Sequence, residues 1–177
     1  LKLTRKQRQQ QEQGLINLIK NIKKHHPQAK IILNRGFEIL PSIHHDITAV
    51  LAESLYSSWD EKNKQYRPVE EDDRKWLHEQ LSQVKEKYHL PVIVVDYLPL
   101  KKHKQAKQIV NKIKQDGFIP WVSNSQLTAI GYSTIQPVAR TVLIVNVSNK
   151  KQAKDETDPF RLLFMPLEYL GFTPKMV

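Results

Sequence analysis

Short, mainly apolar runs constrain the fold of this chain more than any other feature of its sequence. Three of them occupy residues 30–34, 46–53 and 91–97, and the first two begin and end on polar residues. Such runs are too short for buried helices and do not alternate in polarity, which is typical of strands that are buried on both faces. Further candidate strands follow at 118–122 and 141–147. We therefore predict a sheet of mostly parallel strands.

Amphipathic helices separate these strands. Their apolar stripes, at helical spacing, are Leu15, Ile16, Leu18, Ile19 and Ile22; Trp76, Leu77, Leu81, Val84 and Tyr88; and Ala106, Ile109, Val110 and Ile113. The first helix, near 6–25, should stop at His25-His26-Pro27. The second should begin at the acidic stretch 70–73, and the third should end at Gly117. Trp76 belongs to the second stripe, and we therefore predict that it lies in the core.

The C-terminal part shows a weaker pattern. The polar residues 148–158 predict a mobile loop. The apolar segment 160–169, which Pro166 interrupts, is compatible with a strand or with irregular packing. No internal linker divides the chain, so we expect one domain.

The alternation of strands and helices implies right-handed crossovers, in either a doubly wound sheet or a (β/α)8 barrel. The glycine-rich phosphate loop of many doubly wound nucleotide sites is absent. Polar residues end several predicted strands, namely Asn34, Glu53, Asp96 and the segment 123–124. Barrels place their chemistry at this end of their strands, so we predict an α/β fold of the TIM-barrel type. A whole barrel needs about 250 residues and this chain has 177, so it would hold only part of one.

Composition narrows the functional classes. The absence of cysteine excludes thiolate nucleophiles, zinc–thiolate sites and disulfides. A formal net charge of +10 keeps nucleic-acid binding open as an alternative, but the lysines are spread over helix faces and no nucleic-acid-binding motif is present. The 7 histidines lack metal-ligand spacing. We therefore predict no metal, no cofactor and, without a run of about 18 apolar residues, no membrane span.

Several stretches at the strand ends resemble the polygalactosaminidase-like glycoside hydrolases, family 114 and its relatives, which include the hydrolase domain of Pel-type biofilm exopolysaccharide proteins. The matching stretches are 31–38 (IILNRGFE), 50–56 (VLAESLY), 94–97 (VVDY), 117–123 (GFIPWVS) and 166–172 (PLEYLGF). They occur in the family's order along nearly the whole chain.

The resemblance implies that residues 1–177 form the C-terminal half of a (β/α)8 barrel, about strands 5 to 8, with an extra strand and tail at about 139–177. It implies endo-acting cleavage of α-1,4-linked galactosamine-type polysaccharide in the periplasm or outside the cell. The family's catalytic aspartate would lie on an earlier strand, before Leu1. As partners, the chain would have the polysaccharide and either the missing half of the barrel or a second copy of itself.

Glycosidic cleavage needs two carboxyl groups that flank the bond, one protonated and one ionised. Glu53 is the predicted catalytic residue, because it ends a buried strand, where burial favours a protonated general acid, and it matches the family's strand-end glutamate. The alternative is a glutamate that ends a strand in solvent. Asp96 could be a catalytic carboxylate, could bind hydroxyl and amine groups of the substrate, or could act as a capping or loop-pinning carboxylate.

The other predicted substrate-binding residues are Asn34, Arg35, Glu38, Tyr97 and Trp121. Arg35 and Glu38 could instead pair with each other, and Asn34 could close a turn. Aromatic rings near strand ends suit stacking on sugar faces, which also makes Tyr56 and Trp59 candidates. A different class of function is a non-catalytic carbohydrate-binding or exopolysaccharide assembly module that has lost its pair of acids.

Overall fold

The computed structural model of the protein describes residues 3–99, 101–129, 131–134, 140–144, 159–170 and 172–176. The elements up to the second strand are α1 (Arg5–His25), β1 (Ile32–Asn34), a 3-10 turn (Phe37–Ile39), α2 (Leu40–Ile43) and β2 (Ala49–Glu53). Next come β3 (Ser57–Asp60), β4 (Gln65–Pro68), α3 (Glu71–Tyr88), β5 (Val92–Tyr97), α4 (His103–Gln115) and β6 (Ile119–Ser123). The last are β7 (Arg140–Ile144), α5 (Pro159–Tyr169) and β8 (Phe172–Met176).

A four-stranded parallel sheet with the order β1-β2-β5-β6 forms the centre of the fold. The predicted α/β class with parallel strands is therefore confirmed. The strands lie in the sheet in the order in which they occur along the chain. A doubly wound sheet reverses its order at a switch point, whereas a barrel does not. The strand order is thus of the barrel type.

The helices begin and end where the sequence signals indicate. Thr4 caps α1 in a reciprocal pair of hydrogen bonds with Gln7, and the helix ends at His25. Three acidic residues stand in the first turn of α3. Gly117 follows α4 with φ +81°, a left-handed conformation that glycine adopts at little cost.

The helices α3 and α4 pack on the same face of the sheet. Leu77, Leu81 and Val84 of α3 and Ile109 and Ile113 of α4 are buried there, against strand residues such as Val50 and Val94. Successive strand residues point to opposite faces, so the other face is lined by alternate residues of the same strands. On it Ile32, Ile119 and Trp121 remain 52%, 48% and 36% exposed. We call this side the open face.

A hairpin of β3 and β4 interrupts the strand–helix alternation after β2, and the sequence analysis did not predict it. Asp60 holds its turn by accepting hydrogen bonds from the backbone N–H of Lys62 and Asn63. The hydroxyl of Tyr66 accepts from the backbone N–H of Ser125 at 3.2 Å. The hairpin therefore reaches from the end of β2 to the loop after β6.

The C-terminal elements differ from the expectation. Residues 160–169 belong to the helix α5, so the prediction of a strand or irregular packing was wrong. The strands β7 and β8 pair in parallel, and a parallel pair needs a crossover connection, which the helix supplies despite its internal Pro166. The loop predicted at 148–158 lies outside the described residues. Among the residues that the structure describes, no helix combines the length and the apolar character needed to cross a bilayer.

Candidate active site

The carboxyl ends of β1, β2 and β5 meet at Glu53. The Oε1 atom of Glu53 accepts a hydrogen bond from Nδ2 of Asn34 at 2.8 Å. Its Oε2 atom accepts one from the hydroxyl of Tyr97 at 2.5 Å. The neighbouring strands thus supply one donor to each oxygen and fix the orientation of the half-buried side chain.

Arg35 holds the backbone of the same strand end. Its guanidinium donates to the carbonyl oxygen of Glu53 at 3.0 Å. Arg35 and Gly36 both have positive φ values, +56° and +65°, so the chain turns sharply as it leaves β1. A Cβ atom at Gly36 would lie 2.8 Å from Cδ2 of Leu33, which explains why the turn needs glycine.

Tyr97 is well suited to donate to this carboxylate. Burial raises the pKa of its hydroxyl, and the hydrogen bond to Glu53 raises it further. The hydroxyl therefore keeps its proton at physiological pH. It stays available as a donor, and it cannot become a second negative charge beside Glu53.

Asp96 lies on the opposite, helix-covered side of the sheet and is fully buried. Its carboxylate accepts hydrogen bonds from the backbone N–H groups of Leu55, Tyr56 and Ser57, at 2.7, 2.9 and 3.1 Å. Burial raises the pKa of Asp96 to about 6, and these three donors oppose part of the rise. This geometry fits the loop-pinning alternative, because the side chain is not accessible to a sugar. Asp96 fixes the loop that follows Glu53.

Glu38 and Trp121 lie apart from this cluster. Glu38 is exposed on the 3-10 turn, and among the described residues no ion pair joins it to Arg35. Trp121 pairs in register with Val95, which pairs with Glu53, so it occupies the same row two strands away, about 10 Å from Glu53. Its ring lies on the open face, in line with the catalytic candidate.

Two aromatic candidates pack elsewhere. The Tyr56 hydroxyl donates to Asp116 at 2.6 Å, and its ring lies beneath Arg74 and Lys112 on the helix side. Trp59 packs edge-on against Tyr66 in the hairpin, with ring centroids 4.7 Å apart. Tyr56 therefore holds elements of the scaffold together, and Trp59 stiffens the hairpin.

Trp76 corrects an expectation, because it is 50% exposed and does not belong to the core. The buried stripe of α3 is Leu77, Leu81 and Val84, which is complete without it. Trp76 is one residue before Leu77 and so points about 100° away around the helix. It lines a cavity of about 300 Å³ together with Arg35 and Ser54, the residue that follows Glu53. The complete stripe was a signal that could have identified Trp76 as a surface residue.

In the part of the chain that the structure describes, no three His, Asp or Glu side chains come together as metal ligands. The cluster offers a positioned carboxylate, an amide and a phenol, which together can form hydrogen bonds to a polar ligand and transfer a proton.

Comparison with known proteins finds two similar solved structures. The structure of the glycoside hydrolase domain of PelA from Pseudomonas aeruginosa is similar, with 32% sequence identity and a TM-score of 0.69, over 73% of this chain and 51% of that one. A glutamate-to-alanine variant of the same domain matches at 31% identity with the same TM-score and the same shares. This chain thus spans about half the length of these structures. No protein of curated function matches it.

The family comparison covers most of the chain. The model of glycoside-hydrolase family GH114 matches residues 2–140, which include every strand of the parallel sheet and each residue of the Glu53 cluster. The resemblance is therefore confirmed for the stretches between residues 31 and 123, whereas the stretch 166–172 lies beyond the matched residues. The chain belongs to glycoside-hydrolase family GH114.

Proposed function

We propose that this chain is part of a glycoside hydrolase in which Glu53 is one of the two catalytic carboxyl groups. The observation that carries the proposal is the hydrogen bonding of both Glu53 oxygens, by Asn34 and by Tyr97, at the carboxyl ends of adjacent parallel strands. Barrel enzymes place their chemistry there. Two fixed donors hold the carboxylate in one orientation before a substrate arrives, which lowers the cost of aligning it with a glycosidic bond.

The substrate that we propose is an α-1,4-linked galactosamine-type polysaccharide, cleaved at internal bonds. Family membership supports a glycoside hydrolase, and the sugar and linkage come from the resemblance of the strand-end stretches. Trp121, in the same row as Glu53 on the open face, offers a ring on which the C–H face of a pyranose can stack.

The second carboxyl group comes, in this proposal, from a part of the barrel outside this chain. Asp96 is buried behind the sheet and fully engaged by backbone donors. Glu38 is on the turn after β1 and is not in contact with the Glu53 cluster. Asp96 is therefore not accessible to a bond that Glu53 reaches.

The exposure of the open face also supports a barrel of which this chain supplies only a part. The interior of a barrel is filled by apolar side chains that alternate with outward residues along each strand. Ile32 and Ile119 show that pattern but are 52% and 48% exposed. We propose that the remaining βα units of the barrel cover this face, with the periplasm or the cell exterior as the site of action. The chain by itself would self-associate through the open face.

Replacement of Glu53 by glutamine tests the proposal. The Glu53→Gln substitution should abolish hydrolysis in the protein that contains this chain, because an amide can neither donate a proton nor act as a base or nucleophile. The assay follows the shortening of partially deacetylated α-1,4-N-acetylgalactosamine polymer and the new reducing ends. The matched control is Glu86→Gln, which changes an exposed glutamate of α3. Turnover by Glu53→Gln at the parent rate would refute the assignment.

The same assay distinguishes a hydrolase from the non-catalytic alternative, a carbohydrate-binding or assembly module. That alternative draws on one observation, that no other carboxyl group of the described residues belongs to the hydrogen-bonded cluster around Glu53. A parent protein that binds the polymer but never shortens it would be a binding or assembly module rather than a hydrolase.

A further inference from the structure

The cavity beside Glu53 has features that the proposed catalytic cluster does not use. Its wall includes Arg35 and Ser54, which adjoin Glu53 in space and in sequence. The first two turns of α3 form the opposite wall through Asp73 and Trp76. In a βα unit this end of the helix lies at the same rim as the carboxyl end of the strand, so the cavity and Glu53 open at the same rim.

Trp76 gives the cavity an aromatic surface. Its only ring contact among the described residues is with Phe37, at a centroid distance of 6.1 Å and an interplanar angle of 78°. Half of its surface is exposed. A large aromatic side chain exposed next to a functional cleft provides a platform for the apolar C–H face of a sugar, with little loss of side-chain entropy.

The charged side chains around the cavity differ in whether they contact another group of the protein. Arg35 is engaged by the carbonyl of Glu53, and Arg67 lies 3.7 Å from Asp60. Asp73 and Glu70 also line the cavity, are exposed, and have no ion pair or side-chain hydrogen bond within the described ranges. Both guanidinium groups are thus held in position by oxygen atoms of the protein, and that of Arg67 faces a carboxylate, whereas Asp73 and Glu70 remain available to a cationic ligand.

We propose that this cavity is a subsite for one hexosamine residue with a free amine, next to the sugar that Glu53 contacts. The pyranose ring lies on Trp76, and its ammonium group faces Asp73 and Glu70. The volume of about 300 Å³ is at the lower end of ligand pockets and suits one sugar residue rather than several. This inference rests on the proposed function, because it extends the same polysaccharide site by one position.

The experiment measures binding rather than turnover. Isothermal titration calorimetry compares Glu53→Gln, in the protein that contains this chain, with the double variants that add Trp76→Ala, Trp76→Phe or Leu18→Ala. The ligand is the hexamer of α-1,4-linked galactosamine. Leu18 is the matched control, since it is a 54% exposed apolar residue of a helix that does not line the cavity.

We expect Trp76→Ala to weaken binding of the hexamer about tenfold, Trp76→Phe to restore part of the loss, and Leu18→Ala to change nothing. The partial rescue by phenylalanine shows that the loss comes from the ring and not from misfolding. Equal affinities for the Trp76→Ala and Leu18→Ala proteins would overturn the subsite. If the Glu53→Gln protein binds no oligosaccharide at all, the proposed function fails together with the subsite.

The carboxylates are tested with a second ligand. Asp73→Asn should weaken the galactosamine hexamer severalfold and leave the fully N-acetylated hexamer unchanged, because only the free amine carries a charge. An equal effect on both hexamers, or no effect on either, would contradict the assignment of the amine to Asp73.

Discussion

Replacement of Asp96 by asparagine tests the electrostatic cost of the carboxylate that fixes the loop after β2. Burial raises the pKa of Asp96 from 3.8 to about 6. Because the folded-state pKa lies above the unfolded one, between these two values the folded protein keeps a proton that the unfolded chain releases. The stabilisation linked to this proton is therefore fully present below about pH 4 and is lost as the pH rises through about 6.

The magnitude follows from the size of the shift. One pKa unit corresponds to about 1.4 kcal/mol, so a rise of about two units lowers the free energy of unfolding by about 3 kcal/mol in total, and most of this decrease falls between pH 4 and pH 7. Asparagine does not titrate. It also offers one acceptor oxygen in place of two, which leaves a buried N–H group unpaired at a cost of about 1–3 kcal/mol.

At neutral pH the substitution removes the cost of burying a charge but also removes one acceptor oxygen, and these two effects oppose each other. We expect Asp96→Asn to be less stable than the parent by about 2 kcal/mol at pH 4 and nearly as stable as the parent at pH 7. Urea unfolding followed by tryptophan fluorescence at several pH values between these limits measures the difference. The carboxyl ¹³C resonance of Asp96 should titrate with a midpoint near 6.

The matched control is Asp72→Asn, an exposed aspartate in the first turn of α3. Its effect on stability should change little over the same range. A difference between Asp96→Asn and the parent that is constant with pH, or that grows toward neutral pH, would refute the reasoning. It would mean that the three backbone donors outweigh burial and favour the ionised form.

Two further predictions concern the catalytic cluster and the open face. Tyr97→Phe removes the hydroxyl that donates to Glu53, so kcat/KM on the polymer should fall about tenfold or more with little change in melting temperature; an unchanged kcat/KM would argue against a positioning role. Ile119→Lys places a charge on the open face, where Ile119 is 48% exposed, and should reduce self-association of the chain in sedimentation velocity. The same sedimentation profile for both proteins would show that this face is not the contact.

Much of the fold could be predicted from local pattern. The apolar runs around β2 and β5 and the apolar stripe of α4 are strong signals. Apolar residues at the spacing of a buried strand or helix are compatible with few other local structures. The hairpin was missed because its strands have 4 residues each and their only buried residue is the polar Ser57, so burial left little trace in the sequence. The helix α5 was missed because Pro166 lies inside it.

The sequence by itself determined that Asn34 and Glu53 end apolar strands of one parallel sheet, and therefore that they lie at the same edge. Only the tertiary structure decided which of the neighbouring Asp96 and Tyr97 joins them. Adjacent strand residues face opposite sides of a sheet, and a slip of one position in the register between β2 and β5 would exchange them. The packing of α3 and α4 on one face sets that register, so Tyr97 donates to Glu53 while Asp96 is buried behind it.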